Sequence, residues 1–176
     1  MALEYIGETG SPSGSTLTIT SIPDTYLNLY ITGIMHCTGT TEGTAYMRFN
    51  NVTTSTYSWM AGGCNTSGTI GTQNQSAGNE AQFAICNPDA DYNVGSAVAP
   101  VDIEIFSYRG DQPGNAGWLS NNTFAGWNTS TGGPCMLVGG YYTEDEDVDI
   151  SEIDFYTSQG SWGAHTKFYL YGRTES

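Results

Sequence analysis

The chain has 176 residues, enough for one domain that buries roughly 70% of its unfolded surface. It is 38% hydrophobic and 12% aromatic, with 23 glycines, a composition that folds and that favours strands and turns over helices. Only Arg48, Arg109, Lys167 and Arg173 offset eighteen carboxylates, for a net charge of −14; this excludes the phosphate neutralisation that nucleic-acid binding needs and argues against an anionic membrane surface.

In chain order, the fragment LEYIG at 3–7 meets GETGSPSGS, a Gly/Ser/Pro hinge. STLTITSIP follows, then YLNLYITGIM, in which Leu27, Leu29 and Ile31 alternate with Asn28, Tyr30 and Thr32. TAYMRFN at 44–50 precedes a polar, Gly-rich stretch over about 61–79, and AQFAIC at 81–86 alternates again before the turn chemistry of NPDADYN. The clearest strand is APVDIEIFSY at 99–108, with Val101, Ile103 and Ile105 on an apolar face against Asp102, Glu104 and Phe106. RGDQPGNAG, WLSNNTFAGW, CMLVGGYY, an acidic stretch and TKFYLYG complete the chain. About ten short strands separated by turn signals predict an all-β, antiparallel sandwich or barrel. The expected organisation is an N-terminal arm and hinge over 1–14, mobile, followed by one domain over 15–176.

The opening residues MALEYIGETG carry neither the basic nor the apolar region of a secretory signal, and no apolar run approaches the ~20 residues that span a bilayer. The expectation is a chain that works where it is made or leaves by a route needing no cleavable signal. Cys37, Cys64, Cys86 and Cys135 form no CxxC pair; reduced thiols are expected, and their pairing cannot be chosen from spacing.

Catalytic constellations are thin. HExxH, GxSxG and a P-loop are absent. His36 and Cys37 are adjacent on a strand, so their side chains diverge, and a strand-end histidine beside a packed thiol is expected. Asp102 and Glu104 share a strand face about 7 Å apart, a spacing that suits an inverting glycosidase and equally the polar side of a sandwich strand. Arg109-Gly110-Asp111 is an RGD in turn chemistry, and the sequons at Asn51, Asn65, Asn74, Asn121 and Asn128 follow from composition. No enzyme and no cofactor are expected.

Residues 141–156, YYTEDEDVDISEIDFY, hold seven of the eighteen carboxylates and no base. Asp145, Asp147 and Asp149 fall at the 1, 3, 5 spacing of an EF-hand loop, but Ile150 stands where Gly is required and Tyr156 where Glu is. They remain weak candidates for a looser divalent-cation site.

Two segments, STLTITSIPDTYLNLYITG at 15–33 and DISEIDFYTSQGSWGAHTKFYLYG at 149–172, with APVDIEIFSY between them as a central strand, resemble small virion structural proteins of tailed bacteriophages. The resemblance implies a jelly-roll β-sandwich without catalysis, assembled into the particle in the host cytoplasm. Its first form is a capsid decoration (cement) protein, a homotrimer that binds the major capsid protein or other virion subunits between capsomers. On that reading Leu3, Tyr5 and Ile6 reach from the hinge to a neighbour's sheet edge. The four carboxylates Glu144, Asp145, Glu146 and Asp147 face a basic patch on the partner. The alternative is a tail-fibre or receptor-binding module of lectin type, with Trp118, Trp127 and Trp162 stacking on host glycan. The family pattern also divides the acidic stretch. It implies a solvated loop over 141–147 and a strand from Val148 that buries Val148, Ile150, Ile153 and Phe155, with a bulge near Ser151 and Glu152 and with Asp149 and Asp154 on its polar face.

Overall fold

The computed structural model describes residues 2–38, 45–64, 70–85, 99–110, 117–123, 135–142, 148–158 and 160–174, with backbone alone at 61–64, 70–79, 84, 99, 117–123 and 135–137. Twelve strands and no helix are found among the described residues: β1 Leu3–Glu8, β2 Thr16–Ile19, β3 Asn28–Met35, β4 Ala45–Phe49, β5 Tyr57–Cys64, β6 Ile70–Glu80, β7 Phe83–Ala84, β8 Ala99–Phe106, β9 Gly117–Thr123, β10 Cys135–Tyr142, β11 Ile153–Thr157 and β12 Lys167–Arg173. They form two antiparallel sheets. One has eight strands in the order β1-β12-β3-β8-β9-β10-β5-β6, and the other has four in the order β2-β11-β4-β7. All-β structure in two antiparallel sheets is consistent with the expected sandwich.

Period-2 alternation explains how the sheets meet. In β3, Leu29, Ile31 and Met35 are buried while Asn28, Tyr30 and Thr32 are half-exposed. Register carries that phase across the sheet: Ile31 lies opposite Leu170 on one side and Ile103 on the other, and Leu29 lies opposite Ile105. The small sheet turns Leu17, Ile19, Met47, Phe49, Ile153 and Phe155 to the same core. Phe155 of β11 stacks on Phe168 of β12 at 3.9 Å between ring centroids and 5° between planes, joining the two sheets. Trp162 meets Phe168 edge-on and donates to the Phe155 carbonyl. A second aromatic group, Phe49, Tyr57, Phe83 and Tyr142, fills the other end, and the buried Tyr57 hydroxyl accepts from the Phe49 N–H at 2.9 Å.

Residues 3–8 are not a free arm: β1 is an edge strand in register with β12 from Leu3↔Arg173 to Glu8↔Tyr169. The register skips Ile6, a bulge that lets this residue pack against the core. The first residue after β1 is also held, because buried Thr9 donates its N–H to the Phe168 carbonyl and accepts the Phe168 N–H on its hydroxyl.

The Gly-rich stretch after position 61 continues as strand, in β5 and β6. β5 pairs with both β10 and β6, which satisfies its backbone where the side-chain pattern is weak, and β6 closes the sheet as an edge strand.

The strand expected from Val148 begins at Ile153 instead, and Val148 is exposed. Asn50, held at φ 50°, imposes the break. Its Oδ1 accepts the N–H groups of Ser151 and Glu152, and its Nδ2 donates to the Asp149 carbonyl. Residues 149–152 therefore bond to this side chain and, through single backbone contacts, to Tyr108, Ile22 and Asn50 just past the ends of β8, β2 and β4, not to a continuous ladder. Asp154, expected on the strand's polar face, is on the outer side of the small sheet, where it is buried and accepts the Thr18 hydroxyl at 2.6 Å.

Candidate functional site

The side of the eight-stranded sheet turned away from the core is the most distinctive surface. Seven large apolar side chains are exposed among the described residues, and six lie there: Leu3 and Tyr5 on β1, Ile34 on β3, Phe106 on β8, Tyr141 on β10 and Met60 on β5. The seventh, Val148, belongs to the loop before β11. Scattered exposed apolar residues need no explanation, but their concentration on one sheet face is the pattern of a contact surface.

Register arranges these groups in rows. Leu3, Arg173, Asn28, Phe106, Gly117 and Tyr141 are successive partners, so a glycine position separates Phe106 from Tyr141. The next row runs Tyr5, Tyr171, Tyr30, Glu104, and the first two rings meet edge-to-face at 5.8 Å. A groove of ≈ 260 Å³ lined by Leu3, Asn28, Tyr30, Glu104 and Arg173 lies between these rows. That is just under the roughly 300–1,000 Å³ of a small-molecule pocket, so the surface suits a broad contact better than an enclosed ligand.

Polar groups on the face are tied to one another. The Tyr30 hydroxyl donates to Asp102 at 2.7 Å, Asn28 and Arg173 both donate to Glu104, and Lys167 pairs with Glu8 at 2.6 Å. Asp102 and Glu104 do share a face, and each carries out acceptor duties within the sheet. Burial, then the hydrogen bond to Asp102, then the charges of Asp102 and Glu104 push the Tyr30 phenol up to about 12. It stays a neutral donor near neutral pH. Fixed rotamers of this kind make the platform stiff, which lowers the entropy cost of docking.

The predicted interface residues divide. Leu3 and Tyr5 are exposed on this face, whereas Ile6 turns to the core. Glu144, Asp145, Glu146 and Asp147 lie outside the described residues. Asp149 is described, and its Oδ1 accepts the Gly110 N–H at 2.7 Å, tying the loop after β8 to the segment before β11. Of the three tryptophans considered for glycan stacking, Trp162 is 3% exposed and packs in the core, which removes it from such a site. Trp118 sits in β9 opposite Ile105 and Gly140, and Trp127 lies outside the described residues.

Cys37 is buried and bridges to Trp162, while the His36 ring lies against Gly163 and 5.9 Å from the His165 ring. Sequence reasoning missed Ile34, Met60, Phe106 and Tyr141. The signal was present in Ile34 and Phe106, apolar residues standing in the polar phase of alternating strands. Comparison with family models, curated proteins and solved structures gives no match.

Proposed function

We propose that the chain is a non-enzymatic structural protein of a tailed-phage virion. It acts as a decoration subunit that binds the assembled shell between capsomers and presents the outer face of the eight-stranded sheet to its partner. The observation that carries this reading is the concentration of six exposed large apolar side chains on that one face. Eight strands at about 4.8 Å spacing and roughly 20 Å of strand length make a footprint of about 700–800 Å², the scale of one side of a standard protein interface.

Strand order supports the jelly-roll form of the fold. When the hairpins β5–β6 and β9–β10 are taken as insertions, the other eight strands run β1-β12-β3-β8 and β2-β11-β4-β7. Consecutive strands of that set alternate between sheets except β4 and β7, which are neighbours in the small sheet, the wrapping of two Greek keys. Jelly rolls serve as capsid and lectin domains alike, and the burial of Trp162 favours the first use here.

Binding only the assembled lattice stabilises it by mass action, and a trimer on a symmetry axis would repeat the same contact with avidity. The net charge of −14 fits a partner with a basic surface, which steers docking more than it tightens it. Quantitative mass spectrometry of purified particles of the encoding phage tests the assignment. A copy number matching the shell lattice is expected; a handful of copies would move the protein to the tail, and absence would refute the virion assignment.

A further inference from the structure

We infer that Cys64 and Cys135 form a cross-strand disulfide that closes under oxidising conditions, because β5 and β10 place the two residues directly opposite each other. They are register partners at the end of an unbroken antiparallel ladder that runs from Tyr142↔Tyr57 to Cys135↔Cys64. Directly opposed residues in such a ladder have Cα atoms about 4.5 or 5.5 Å apart according to the hydrogen-bonding pattern, and both values fall within the roughly 4.4–6.8 Å that a disulfide spans.

Their other register partners carry no sulfur: Ile70 stands beside Cys64 and Thr123 beside Cys135. Cys37 is 2% exposed just past the end of β3. That strand lies three positions from β10 in the sheet, about 14 Å at ordinary strand spacing. Among the described cysteines, Cys37, Cys64 and Cys135, the register thus favours one pairing where sequence spacing leaves all of them open. The bond joins the β5–β6 hairpin to the β9–β10 hairpin.

Closure needs an oxidant, and a small-molecule disulfide such as oxidised glutathione supplies it. One cysteine thiolate attacks the oxidant, forming a mixed disulfide and releasing one glutathione thiolate. The second cysteine thiolate then attacks the protein sulfur of the mixed disulfide, forming the Cys64–Cys135 bond and releasing the second glutathione. Two thiol protons go to solvent, and two electrons go to the oxidant. The pair stays reduced in a glutathione-poised cytosol and closes outside it. This holds whether or not the chain belongs to a virion.

The test incubates the folded, full-length chain with oxidised glutathione, blocks remaining thiols, and maps chymotryptic peptides. Cleavage at Phe83 separates Cys64 from Cys86. The expected product is a Cys64–Cys135 cross-linked peptide that disappears on reduction, with Cys37 blocked only after unfolding. Oxidation should raise the melting temperature of the wild type by on the order of 10 °C and leave a C64S/C135S variant unchanged. Free Cys64 and Cys135 after oxidation, or either residue linked to Cys86 or Cys37, overturns the inference; the map uses the wild type alone and does not depend on the variant folding.

Discussion

Replacing Asn50 tests how the acidic stretch is held. Its Oδ1 accepts the backbone N–H groups of Ser151 and Glu152 at 2.9 and 3.1 Å, and its Nδ2 donates to the Asp149 carbonyl at 2.8 Å. Three bonds at about 0.5–1.5 kcal/mol net each, discounted for partial exposure, give about 2 kcal/mol. The residue also sits at φ 50°, where a Cβ without a compensating polar group costs about 1–2 kcal/mol. Asn50→Gly should therefore cost about 2 kcal/mol and Asn50→Ala about 3 kcal/mol. Asn50→Asp, which keeps the acceptor and tolerates the conformation, should cost least. Urea unfolding with a common slope reads these differences as shifts in midpoint. An Asn50→Ala chain within about 0.5 kcal/mol of wild type, the range of an ordinary surface change, would refute the assignment of this residue as the clamp on 149–152.

Phe168 is fully buried between Phe155 and Trp162, so Phe168→Ala should cost about 3–5 kcal/mol in the same assay. A Cβ on Gly33 would collide with the backbone carbonyl of Lys167 on the next strand. Gly33→Ala should therefore destabilise by more than about 2 kcal/mol and raise amide exchange along β12. Tyr30 holds its proton to about 12 in the folded chain, against 10.0 for an ordinary tyrosine phenol. In the unfolded chain it ionises first, so its contribution is complete below about pH 10 and is lost between roughly pH 10 and 12 as the pH rises. Tyr30→Phe should flatten that part of the alkaline stability loss, with tyrosinate absorbance identifying the titration.

Much of the fold was legible because burial imposes a period of two on a strand. Leu29 and Ile31 in β3, and Val101, Ile103 and Ile105 in β8, alternate in the sequence and are buried in the structure. Three features escaped that signal for physical reasons. LEYIG reads as an arm because a Gly/Ser/Pro segment follows it, and its place depends on a partner strand more than 160 positions away. The phase change between Ile150 and Ile153 reads as a bulge, yet the cause is a distant asparagine that no local pattern reveals. Gly62 and Gly63 weaken strand propensity locally, while pairing on both sides of β5 overrides it. The surface was half legible. Leu3 and Tyr5 were singled out for the wrong reason, as an arm, and the remaining apolar groups become one face only when β3, β5, β8 and β10 are brought into a common sheet.

On the proposed function the outer face of the eight-stranded sheet docks on the shell, so altering that face should alter binding. Phe106→Ser and Tyr141→Ser together remove two exposed rings without touching the core. Binding of this variant to purified shells lacking the protein should weaken at least tenfold, about 1.4 kcal/mol, with the melting temperature unchanged. Shell binding equal to that of the wild type would contradict the account.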